Sequence, residues 1–166
     1  MVTIEPMAAA DFEAAARWLA SPEVNQWLTG EWRDTEVNAS LIAIAVRNRK
    51  NRFFLVRYAG DAAGLVALSN IEPTDKTAML WYALGRQELR GKGIATEAVR
   101  QLSQLVFHEL GLASLYAWIM DGNEASRRVL EKAGFKPAGR IRRSAAFGGQ
   151  QLDRIYFDLL PSDQTA

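Results

Sequence analysis

Cysteine is absent from this chain. That excludes disulfides, thiolate metal sites and a cysteine nucleophile. Histidine occurs once, as His108. Multi-histidine metal centres are excluded with it, and a Ser-His-Asp hydrolase would have to use this one residue. His108 falls near the end of a helical pattern, before Gly111, and the chain has no nucleophile-elbow motif. It reads as a solvated, helix-end histidine. No apolar run approaches the ~20 residues that span a bilayer; the longest, around Leu41 to Val46, is far too short. The start, Met1-Val2-Thr3-Ile4-Glu5, lacks the basic region and apolar run of a secretory signal. A cytoplasmic protein with no membrane contact is therefore expected. An excess of one charge is missing too. The formal net charge of +1 argues against a general nucleic-acid binder, which is usually clearly basic.

What remains is an ordinary globular composition, 49% hydrophobic and 23% charged over 166 residues, long enough to bury one proper core. No internal repeat or low-complexity linker breaks it, so residues 1–166 are expected to form one α/β domain. Val2 to Glu5 is a short strand stopped by Pro6. Asp11 is placed to cap a helix running to about Leu19, and Ser21-Pro22 restarts a short helix carrying Val24, Trp27 and Leu28. Thr29 to Thr35 reads as a loop, and Glu36 to Arg47 as a helix. The period then changes. Phe53 to Tyr58 and Gly64 to Leu68 are strands joined at Gly60-Asp61, and Ala78 to Leu84 is the third strand of this meander. Ile94 to Leu110 has the spacing of a long amphipathic helix ended by Gly111. Leu115 to Ile119 is a buried strand, and Asn123 to about Ala133 a short helix ended by Gly134. Phe135 to Arg142 and Asp153 to Leu160 are the last strands, with Gly148-Gly149 in their connection.

The stretch Leu89-Arg90-Gly91-Lys92-Gly93-Ile94-Ala95-Thr96 joins the third meander strand to the long helix. The first N–H groups of a helix lack internal partners and carry part of the helix dipole. Glycines there let the backbone approach an anion closely. The site is thus suited to a phosphate. It is neither the three-glycine dinucleotide fingerprint nor the ATP-binding loop, because Lys92 is followed by Gly93.

The order Arg90-x-x-Gly93-x-Ala95 instead resembles the pyrophosphate-binding signature of the GNAT superfamily, the acyl-CoA-dependent N-acyltransferases. A second segment, Asn123 to Phe135, resembles that family's next signature: an Asn, a small residue three on, an apolar pair, Glu131-Lys132, then Gly134-Phe135. The two lie one helix and one strand apart, as in the family, and the resemblance covers roughly Phe53 to Leu160. The ending looks most like the branch holding the ribosomal-protein N-terminal acetyltransferases. The resemblance implies a mixed, twisted central sheet that splays after the third meander strand, flanked by helices. It implies acetyl-CoA as cofactor, with no metal. Backbone groups of Tyr82, Ala83 and Leu84 would pair with the pantetheine arm, and Leu89, Arg90, Gly91, Lys92, Gly93, Ile94, Ala95 and Thr96 would hold the pyrophosphate. Asn123 would reach the thioester region, and Arg127 and Lys132 the adenosine or its 3′-phosphate. The partner would be an amine acceptor: a peptide N-terminus, a polyamine or an amino sugar. A homodimer is also common in such proteins.

An amine attacks a thioester only when neutral, so a base must take its proton. Glu72, at a strand end, is the candidate, with Asp75 beside it. The leaving thiolate needs a donor. Many family members carry a Tyr just before the Glu-Lys pair, and here that position is Leu130. Either Ser126, one turn earlier on the same helix face, replaces it, or water and backbone do. A non-catalytic acyl-CoA sensor on the same fold is the alternative. Trp27 and Trp32 are core residues or line the acceptor side. Arg140, Arg142, Arg143 and Arg154 face solvent or hold an acidic acceptor. The anion site makes one prediction. Gly93→Glu sets bulk and negative charge against the pyrophosphate and should abolish CoA binding in a calorimetric titration; binding at wild-type affinity would show that the loop serves something else.

Overall fold

The computed structural model describes residues 1–164; residues 165 and 166 of the expected domain lie outside the described residues. Seven strands form one sheet: β1 (Val2–Pro6), β2 (Arg52–Tyr58), β3 (Asp61–Glu72), β4 (Thr77–Leu84), β5 (Ser114–Met120), β6 (Lys136–Phe147) and β7 (Gln150–Leu159). Their order is β1-β2-β3-β4-β5-β7-β6. All neighbours run antiparallel except β4 and β5, which are parallel. The helices are α1 (Phe12–Ala20), α2 (Pro22–Asn25), α3 (Gly30–Arg33), α4 (Ala39–Arg47), α5 (Ile94–His108) and α6 (Glu124–Lys132). Among the described residues, no helix is long and apolar enough to cross a membrane.

The meander follows from its turns. Ala59 and Gly60 both take positive φ, the geometry of a two-residue hairpin turn whose twist matches the strands. Near its far end β3 slips register between Ser69 and Glu72, with Asn70 at φ 51°. Strands this rich in Leu, Val and Phe need cover on both faces. On one face α5 inserts Ile94, Ala98, Val99, Leu102 and Val106 into a core shared with Leu80, Leu115, Leu130 and Phe157. On the other, α1 and α4 contribute Ala15, Leu19, Ile42 and Ala45 to a second core around Phe53 and Leu65. The sheet is therefore fixed from both sides, and whatever it leaves unpaired is held in place.

Several expectations change. Asp11 does not cap α1; its carboxylate accepts from Ala8 N–H at 2.8 Å and closes the turn before the helix. The expected loop from Thr29 contains α3, because Trp32 is only 5% exposed and packs against Phe53 and Trp81; tertiary burial overrides weak local propensity. The helix expected from Glu36 starts at Ala39, where the Asn38 side chain accepts from Leu41 N–H at 2.9 Å. The last two strands are longer than their patterns suggest. Gly148 and Gly149, at φ 56° and 78°, make the tight turn between them, while residues 136–143 of β6 are all exposed and so carry no alternation to read.

Close approach of β3 to β4 requires glycine at position 64. A Cβ there would sit 2.3 Å from the Ala83 carbonyl oxygen, a backbone atom that cannot swing away. Gly64→Ala should cost about 1–3 kcal/mol, read as a lowered urea midpoint at unchanged m-value; undiminished stability would contradict this packing.

Candidate active site

The parallel pairing of β4 with β5 covers only three residue pairs, Thr77–Ser114, Ala78–Leu115 and Met79–Tyr116. Beyond Met79 the strands part. Residues 80–84 keep their pairing to β3 but have no strand partner on the β5 side among the described residues. A cavity of about 730 Å³ opens at this split, lined from β4 by Tyr82, Ala83 and Leu84 and from β5 by Ala117, Trp118 and Ile119. An open sheet edge inside a protein calls for a partner, because buried backbone polar groups are costly when unpaired.

The glycine loop forms one end of the same cavity. Leu89, Arg90, Gly91, Gly93, Ile94, Ala95 and Thr96 line it. Gly93 is the N-cap of α5 at φ 77°, and Gly91 sits at φ 75°. A Cβ built on either would meet nothing within 4 Å. These glycines are therefore required by backbone conformation, and the space before them is free for a ligand. The first helical donor bond is Glu97 N–H to Gly93 O at 3.0 Å. The N–H groups of Ile94, Ala95 and Thr96 precede it and have no carbonyl within the helix. A diphosphate fits this end, and a chain with two amides fits the β4 edge. The residues present thus fit coenzyme A, with Lys132 and Arg128 as further cations on the wall.

Helix α6 brings in the second group of side chains. Its N-cap, Asn123, accepts from Ser126 N–H through Oδ1 at 3.3 Å, so the expected cap and the expected cavity position are both occupied by one residue. The Asp121-Gly122 turn that presents it is held by Arg140, whose Nη1 donates to Asp121 Oδ2 at 3.1 Å and Asp153 Oδ2 at 2.7 Å. Arg100 on α5 donates to Lys132 O at 2.5 Å and ties the other end of α6 down. Ser126 faces the cavity, and Leu130 lines it one turn later while only 2% exposed. Leu130 supplies no proton donor.

Across the split, the Tyr82 hydroxyl donates to Ser126 Oγ at 2.9 Å. Only the Tyr82 backbone was expected at the site. The contact joins residues 44 positions apart, and the sequence carries no signal for it. Burial pushes the Tyr82 phenol up from 10.0 to about 12, against a smaller opposing effect of its bond to Ser126.

Several expectations are corrected. Glu72 does not line the cavity. It sits at the end of β3, opposite Thr77, with its carboxylate bonded to Lys50 Nζ. The carboxylates that do line the cavity are Glu23 and Glu31; a hydrogen bond from Ser21 holds Glu23 below the usual carboxylate range. Arg127 is not on the wall either. It pairs with Glu124 at 3.5 Å and lies over the Phe157 ring, and its neighbour Arg128 faces the cavity instead. Lys92 is exposed and is not among the lining residues. Arg140 is structural, as described, and Arg154 stacks on Trp118 at 4.2 Å. Trp32 is both core and cavity wall, and Trp27, on the wall too, stacks on Phe147 at 4.5 Å.

The model of the acetyltransferase (GNAT) domain matches residues 2–136, and the chain belongs to the GNAT acetyltransferase family. It is 35% identical over 103 residues to the putative ribosomal N-acetyltransferase YdaF of Bacillus subtilis, covering 62% of this chain and 56% of that one. It is 41% identical over 88 residues to the probable N-acetyltransferase YjcK of the same organism, covering 53% and 48%. The matches thus span about half the length of these curated relatives. The fold is shared with spermidine N-acetyltransferase from Vibrio cholerae, solved in complex with CoA and spermine: TM-score 0.83, 18% identity, 98% of this chain and 96% of that one.

The raised phenol has a consequence for stability. The folded protein keeps a proton that the unfolded chain releases from about pH 10, so stability is undiminished below that value and falls as pH rises towards about 12. Tyr82→Phe should flatten this alkaline loss in melts taken across that range; an equal loss in the variant would contradict the assignment.

Proposed function

We propose that this protein is an acetyl-CoA-dependent N-acetyltransferase acting on a primary amine of a protein N-terminus or a small molecule. The observation that carries the reading is the coincidence, in one cavity, of a parted β4–β5 edge, a helix N-terminus opened by Gly91 and Gly93, and a wall of α2 and α3 residues beyond them. Acetyl-CoA supplies an activated acyl thioester. Residues 91–96 would hold its diphosphate through helix N–H groups and the dipole. Tyr82, Ala83 and Leu84 would take its amide-bearing arm as an added strand, and a backbone N–H on that edge would stabilise charge on the acyl oxygen. Ser126 would donate to the departing sulfur, with Asn123 fixing its backbone. Arg128 and Lys132 would neutralise the remaining phosphate. The acceptor's proton leaves through water to Glu23 or Glu31, the carboxylates on the wall.

The acceptor enters from the side of Trp27, Trp32 and Trp81, which also line the cavity. Aromatic faces and carboxylates together suit an amine that arrives as a cation. Peptide N-termini and polyamines both meet that description, and the likeness to YdaF and the polyamine enzyme's fold supports testing both. Leu130 favours one other reading, a CoA-binding sensor without turnover, because it leaves the helix without a phenol.

Thiol release from acetyl-CoA, followed with peptides, polyamines and amino sugars, decides. The expected result is turnover with at least one amine and a fall of roughly a hundredfold in kcat for Ser126→Ala. CoA binding without turnover on any amine would select the sensor, and absence of CoA binding would end both.

A further inference from the structure

Ser126 has one hydroxyl hydrogen and two lone pairs, and so does Tyr82. Their contact at 2.9 Å can be made in two ways. If Ser126 donated, the Tyr82 hydrogen would need another acceptor, and among the described residues no other hydrogen bond reaches that hydroxyl. A half-buried phenol left without an acceptor costs about 1–3 kcal/mol. Both residues border the cavity, but burial keeps the phenol largely from water, so donation by Tyr82 satisfies it while Ser126 points its own hydrogen into the cavity. The surroundings are compatible with this choice. The phenol stays neutral well above the ordinary range, so the donated hydrogen is always present. Asn123 holds the Ser126 backbone at 3.3 Å, which keeps the serine in reach of β4.

We propose that Tyr82 is a positioning residue: by donating to Ser126 Oγ across the split, it turns the serine's hydrogen away from β4 and aims it into the cavity at a bound thiolate. The inference rests on the acyl-CoA reading of that cavity. It explains how a serine, a weak acid, serves where Leu130 brings no phenol. A hydroxyl that already accepts one hydrogen bond donates more strongly through its own. No proton leaves Tyr82, whose phenol holds its hydrogen more tightly than a thiol does. The device also ties the donor to the β4 edge. The strand that would bind the pantetheine arm carries the side chain that orients the donor.

The test needs no acceptor. Free CoA is the probe, and the ionisation of its thiol on the protein is followed by thiolate ultraviolet absorbance across pH. In the wild type the bound thiol should ionise at lower pH than in free solution. Tyr82→Phe and Ser126→Ala should each raise that midpoint by about one unit, roughly tenfold in thiolate stabilisation. The double variant should match Ser126→Ala, since Tyr82 acts only by aiming the hydrogen that the serine donates. CoA affinity should change less than threefold, which a merely structural loss would not preserve. 3-Fluorotyrosine at position 82, a stronger donor of the same shape, should lower the midpoint and serves if Tyr82→Phe does not fold. A midpoint indifferent to Tyr82→Phe or to the fluorinated residue, or additive effects in the double variant, would overturn the proposal and leave the CoA reading standing. Failure of the wild type to bind CoA would overturn both.

Discussion

The structure depends on the parting of β4 and β5 after three residue pairs. A parallel sheet ordinarily continues its ladder, because each lost pair leaves backbone groups to be satisfied elsewhere. Here the ladder stops although β4 continues to Leu84 and β5 to Met120. What keeps the edge open is packing. β4 is held by β3 from Met79 to Leu84 and again at Thr77, with Gly64 allowing the close approach at Ala83. β5 is held by β7 over six residue pairs, from Leu115–Leu159 to Met120–Arg154. The two halves of the sheet are each anchored on the side away from the split, and the long helix α5 fills one face of both.

The same split places the two helix starts. Residues following β4 turn at Gly91 and Gly93 into α5, so the helix N-terminus falls at one end of the gap. Residues following β5 turn at Asp121-Gly122 into α6, so Ser126 falls on the cavity wall. Neither helix start would face the cavity if the strands were zipped. The salt bridges of Arg140 to Asp121 and Asp153, each partner about half or less exposed, contribute little as surface pairs. Their role is to fix the α6 turn in one position.

Features written in consecutive residues were legible in the sequence. Arg90 to Thr96 and Asn123 to Phe135 each combine a cap, glycines and a helical apolar spacing, and each appears where expected. The GNAT resemblance they carried holds, as does the splayed sheet it implied. What the sequence could not show depends on folding distant parts together. Tyr82 meets Ser126 only because the sheet parts between them. Glu72 ends β3 beyond the register slip after Ser69 and is bonded to Lys50, a lining residue, so its carboxylate stands behind the wall and not on it. Arg127 and Arg128 differ by one helical step, and that step decides which of them faces the cavity. Strand β6 is exposed over its first eight positions and left no periodic trace.

Amide hydrogen exchange with and without CoA tests the account most directly. The N–H groups of Ile94, Ala95 and Thr96 have no helical partner and should exchange rapidly in the free protein. Saturating CoA should slow them sharply, together with amides on the β4 edge from Tyr82 to Leu84. Protection confined to other parts of the molecule, or none at all, would contradict the assignment of this gap and its glycine-lined end to coenzyme A.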